Sequence, residues 1–66
     1  MTAVVIRWHD RNNVELLVDG VQVLSVSDLD ENGGRDGEAS VAYAAEVTAG
    51  AVARALGASV TIERKP

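Results

Sequence analysis

Three observations predict an α+β fold, a two-layer β-β-β-α-β domain. Residues 3–26 hold three runs rich in β-branched residues, separated by polar turn formers. The second and third runs meet at Asp19-Gly20, and a D-G pair between apolar stretches is the strongest short hairpin signal. Residues 38–56 then turn Ala-rich and proline-free, end at Gly57, and give way to one more β-rich run.

The elements follow in chain order. Residues 3–8, AVVIRW, read as a strand with Val4, Ile6 and Trp8 on one face and Val5 and Arg7 on the other. HDRNN at 9–13 is a polar turn, and VELLV at 14–18 is a second strand. A two-residue loop at Asp19-Gly20 sets Val18 against Val21, Leu16 against Val23 and Val14 against Ser25 in a third strand over 21–26. On that register the opposite face carries Leu17 beside Gln22 and Glu15 beside Leu24.

The 38–56 stretch has helix start signals in Asp36 or Gly37 as cap and Glu38 in the first turn, and Gly57 suits the residue just past its end. At 100° per residue, Val41, Ala44, Ala45, Thr48, Val52, Ala55 and Leu56 share one side, expected to meet the sheet, with Gly50 opposite. ASVTIE at 58–63 is the last strand, with Val60 and Ile62 inward. The whole is a three-stranded antiparallel meander plus one helix and a C-terminal strand. The last strand is expected parallel to the first, in sheet order 3-2-1-4.

Size and composition bear on partners. A single domain of 66 residues buries only about 60% of its unfolded surface. There is no cysteine for a disulfide and no spaced pair of ligands for a structural zinc. The 47% hydrophobic content is mostly Val and Ala, Phe is absent, and Trp8 and Tyr43 are the only aromatics. Such a core needs support, and a homodimer is the expected source. The apolar run from Ala3 to Ile6 is too short for a signal peptide or membrane span, so the expected compartment is cytoplasmic.

Charge excludes one class of partner. The chain carries net −4, and residues 28–38 hold five acids against Arg35, the same balance, so the remainder is neutral. With its basic residues scattered, the chain lacks the clustered positive surface that direct nucleic-acid binding needs. One Lys among Arg-, Ala- and Val-heavy usage suggests a GC-rich bacterial or phage genome.

The acidic stretch DLDENGGRDGEA at 28–39 resembles the first half of a calcium loop. Asp28, Asp30, Asn32 and Gly33 fall where alternate oxygen ligands and the turning Gly belong, and Asp36 falls at the ninth position. The closing bidentate Glu is missing, since the twelfth position is Ala39, and Arg35 stands where an apolar anchor belongs. The plainer reading is a solvated acidic connection that feeds negative charge to the helix start. Calcium, bound weakly, is its alternative; no other cofactor is implied. At about eleven residues the connection exceeds the usual ~4–6, a length associated with function or disorder.

No catalytic residue is assigned. His9-Asp10 is a lone polar pair at a turn, the serines lack a nucleophile elbow, and GGRDG lacks the ending of a phosphate loop. The chain is therefore expected not to be an enzyme. Its candidate partner-binding residues are Asp28, Asp30, Glu31 and Asp36 for a basic protein. An apolar patch of Val5, Leu17 and Leu24 on the sheet face away from the helix is a second candidate surface. An outward helical row of Tyr43, Val47, Gly50 and Arg54 is a third. The expected function is a small non-catalytic interaction or accessory protein; an acidic mimic that occupies a nucleic-acid-binding site is a further alternative.

Overall fold

The computed structural model of the protein describes residues 2–27 and 41–64. Strands β1 (Ala3–Asp10), β2 (Asn13–Val18) and β3 (Val21–Ser27) precede helix α1 (Val41–Ala55), and β4 (Ser59–Glu63) follows it. The sheet order is β3-β2-β1-β4, with β1–β2 and β2–β3 antiparallel and β4 parallel to β1. The α+β class, the meander and the placement of the last strand are as the sequence predicts.

Local chemistry fixes each turn. Asp19 and Gly20 both have positive φ, 50° and 86°, the conformation that a two-residue hairpin of the right twist requires. Asp19 also clasps β1: its N–H donates to the Ala3 carbonyl at 2.8 Å, and the Ala3 N–H donates to its Oδ1 at 2.9 Å. At the first turn, Asp10 Oδ1 accepts from the Asn12 N–H at 2.8 Å and from Asn13 Nδ2 at 2.7 Å, an Asx turn. The helix ends in a Schellman motif: Gly57 at φ 84°, its N–H on the Arg54 carbonyl, and the Ala58 N–H on the Ala53 carbonyl.

The core lies between one sheet face and α1. Val4, Ile6, Trp8, Val14 and Leu16 supply the sheet side; Ala42 and Ala53 supply the helix side. Among the described residues, Ile6 and Val14 are the largest side chains shut off from solvent. The predicted inward faces of β1 and β2 are therefore correct, and Val60 and Ile62 align with Val4 and Ile6 on β1.

Three expectations are corrected. First, the hairpin register slips: Val18 pairs with Val21 and Leu17 with Gln22, but Leu16 then pairs with Leu24 and Val14 with Val26. Val23 is the extra residue of a β-bulge, which re-phases the rest of β3 by one position. Leu24 thus shares the helix-side face with Leu16, and the patch of Val5, Leu17 and Leu24 is not assembled.

Second, Leu17 is buried, at 8% exposure, on the face away from the helix-side core, with Val5 and Gln22 as its cross-strand neighbours. Third, the helix is rolled about its axis relative to the expected phase. Ala42, Glu46, Gly50 and Ala53 are its buried residues, whereas Val41, Val52 and Leu56 are exposed. Gly50, expected outward, is covered from the side by the Arg54 guanidinium.

Candidate functional site

The roll of the helix has a cause in Trp8. An indole N–H taken into a core needs an acceptor, and Glu46 is the acid within α1. Trp8 Nε1 donates to Glu46 Oε1 at 2.7 Å, and Arg64 Nη2 donates to Glu46 Oε2 at 3.0 Å. The Arg64 guanidinium also lies 5.8 Å from the Trp8 ring centroid. Glu46 is consequently buried with both oxygens engaged, and no described buried side-chain polar atom lacks a hydrogen bond. This three-residue lock ties α1 to β1 and to the residue after β4 at one end of the sheet.

Turning Glu46 toward β1 swings the larger apolar side chains of α1 off the core. What then faces the sheet is Ala42, Ala45, Ala49 and Ala53. Alanine has too little volume to fill the space above Leu16 and Val18, and no Phe exists elsewhere in the chain to do so. The result is an open apolar groove of about 320 Å³ at the sheet end opposite the lock. Val4, Leu16 and Val18 form its floor. Ala49, Val52, Ala53 and Leu56 form its helical wall, and Thr2 and Ala58 close its end. Leu56 is 79% exposed at the rim. Among the described residues, no charged one lines it.

The opposite sheet face pairs the apolar Val5 and Leu17 and is otherwise polar. Arg7 stands between Glu15 on β2 and Glu63 on β4, and its Nε donates to Glu63 Oε1 at 2.8 Å. That bond, with the charge of Glu63, pushes the Arg7 pKa further above its ordinary value. His9 is the bulged residue between the Trp8–Val14 and Asp10–Asn13 pairs, and its Nε2 contacts Glu15 Oε1. Asp10 is held below the usual carboxylate range, first by the Asn12 backbone N–H and then by the Asn13 amide. These are surface interactions around a turn, and they converge on no cavity.

Among the sequence candidates, Tyr43, Val47 and Arg54 are exposed along one side of α1. Val5 is half-buried and Leu17 buried on the polar face, and Leu24 is 47% exposed beside Leu16. Asp28, Asp30, Glu31, Asn32 and Asp36, with the calcium reading they carry, lie outside the described residues. Within the described residues no group of three or more His, Cys, Asp or Glu is placed to hold a metal ion. No described helix is long and apolar enough to cross a membrane. The groove residues Val52 and Leu56 were legible in the sequence only as core, because apolar periodicity does not say which of two adjacent stripes meets the sheet. Comparison with protein-family models, with curated proteins and with solved structures found no match.

Proposed function

We propose that the protein is a small non-catalytic interaction module that binds a basic protein partner by accepting its apolar side chains into the groove between α1 and the sheet. One observation carries this reading: about 320 Å³ of apolar space is open to solvent in a chain that has few large side chains to spare. The volume is at the lower end of the ligand-pocket range, ~300–1,000 Å³. Thr2 is the one polar residue among the described residues of the lining, and these offer hydrophobic contact. The sign of the partner's charge follows from the chain's own. Net −4 is concentrated in residues 28–38, which join β3 to α1, and long-range attraction favours a basic surface. In this reading the apolar insert supplies residence time and the acidic stretch supplies encounter rate.

A pair of helical peptides tests it, one amphipathic with Leu on one face and Lys on the other, and one with Glu replacing every Lys. The Leu/Lys peptide is expected to shift the amide resonances of Val18, Val52 and Leu56, and the Leu/Glu peptide to leave them in place. Leu56→Asp, a change at an exposed rim position, should abolish the shifts while the fold persists. Unmoved groove resonances with millimolar Leu/Lys peptide, or equal shifts in Leu56→Asp, would sink the reading.

A further inference from the structure

Among the described residues, every acid but one faces a side-chain partner. Glu15 contacts His9, Glu46 takes Trp8 and Arg64, Glu63 takes Arg7, and Asp10 takes the Asn13 amide. Asp19 is exposed, and its hydrogen bonds within the described residues are to backbone alone. Its Oδ1 accepts from the Ala3 N–H at 2.9 Å, and its own N–H donates to the Ala3 carbonyl at 2.8 Å.

This carboxylate stands at the mouth of the apolar groove. Asp19 follows Val18, a floor residue, and clasps Ala3, which lies between Thr2 at the groove's end and Val4 on its floor. On the other side of β1 the Thr2 carbonyl accepts from the Ser59 N–H at 3.0 Å, so this end of the groove is braced from both neighbouring strands. A group held in place in advance gives up little freedom when a ligand meets it. The last turn of α1 supplies Leu56 to the same end, and a helix C-terminus carries roughly half a negative charge. Arg54, the basic residue of that turn, reaches back beside Gly50 instead of toward the helix end.

We infer, on the groove reading proposed above, that Asp19 selects the basic partner at close range, by pairing with a Lys or Arg that flanks the apolar side chain seated in the groove. The occupant is then an apolar residue with a cation beside it. A Lys or Arg lays its methylene stem along the apolar rim of Val18 and Leu56 and keeps its charged head in water beside the carboxylate. Residues 28–38 draw such a segment from a distance, and Asp19 holds its cation once it has docked. An exposed ion pair of this kind changes affinity by about two- to five-fold. An acidic residue in the same place meets like charge and is rejected.

Asp19→Asn removes the charge and little else. Asn tolerates the positive φ of 50°, Asn-Gly suits the same two-residue turn, and the amide oxygen still accepts from the Ala3 N–H. The probes are the Leu/Lys helical peptide and the same peptide with Gln for every Lys, each titrated against the amide resonances of Val18, Val52 and Leu56. Asp19→Asn is expected to weaken the Leu/Lys peptide by the factor above and to leave the Leu/Gln peptide unchanged. Asp10→Asn takes an equal charge from the turn at the far end of β1 and is expected to change neither. Groove resonances that neither peptide moves in the parent would sink the groove reading and this pairing with it. If the parent binds the Leu/Lys peptide and Asp19→Asn binds it as tightly, the pairing alone is overturned. It is also overturned if Asp10→Asn weakens that peptide as much, or if Asp19→Asn weakens both peptides equally.

Discussion

Glu46 ties helix to sheet from a buried position. Its two oxygens take the Trp8 indole N–H and the Arg64 guanidinium, and it is buried while doing so. Glu46→Ala strands a buried donor, which costs about 1–3 kcal/mol. Glu46→Gln keeps an acceptor for Trp8 and should lose less. Arg64→Ala, at a position more than half exposed, should cost under ~1 kcal/mol. Urea unfolding of the three variants checks the order. Asp10 gives a pH prediction. Its folded-state pKa is lowered by the Asn12 N–H and then by Asn13, so the carboxylate is favoured in the folded chain. Its contribution to stability is fully present above the unfolded value of about 3.9 and is lost as pH falls through the lower folded value. A carbon-13 titration should place the Asp10 midpoint below that of a model peptide, and Asp10→Asn should flatten the acid limb of the stability curve. A midpoint at or above the peptide value would contradict the turn geometry.

The elements show where a sequence is legible and where it is not. β1 and β2 were readable because alternation has only two phases and the Asp19-Gly20 turn picks one. The slip at Val23 was not, because valine and leucine suit either face of VQVLSV equally, and nothing in that run marks a bulge. The helix was readable in type and end, through its alanines and Gly57, but not in phase. In an Ala-rich helix several stripes are almost equally apolar, and the heavier residues Val41, Val52 and Leu56 drew the expectation away from the alanines. The missing signal was polar: a Trp with an N–H to satisfy and one acid within the helix. Two glycines separate local propensity from conformation. At Gly50 a Cβ would meet only the mobile end of Arg54, at 3.1 Å, so Gly50→Ala should stabilise by up to about 1 kcal/mol. At Gly57 the positive φ makes Gly57→Ala destabilising by about 1–2 kcal/mol. Ala49→Leu puts bulk into the groove. It should raise stability by about 0.5–2 kcal/mol, as cavity-filling changes do, and also block the Leu/Lys peptide. A stabilised variant that still binds would show that the peptide goes elsewhere.

At the scale of the whole molecule, among the described residues one helix must serve four strands. Strands lie ~4.8 Å apart and a helix with its side chains is ~10–12 Å across, so α1 can shade about half the sheet. The lock at Trp8 sets how α1 crosses: the helix touches all four strands, and Val4, Leu16 and Val18 are left as the floor of open space. The candidate site is therefore a by-product of fitting a small-residue helix to a sheet on a chain without Phe. That is why the sequence pattern, which drew Val52 and Leu56 into the core, did not show the groove they line. A chain ending at Gly57 should lose the Schellman closure and the β1–β4 ladder together. It is expected to show a disordered amide spectrum, whereas a chain lacking only Lys65 and Pro66 should not.

The parallel β1–β4 pair also sets an order of events at the ribosome. β1 emerges first, but its partner along that edge comes 56 residues later. At ~5–20 residues per second the delay is roughly 3–11 s. Throughout it, the strand that will become central offers an unguarded flank, Ala3–Arg7, to any other nascent chain. Slow translation of residues 28–58 should therefore lower the yield of native protein, and chaperones that shield extended segments should restore it.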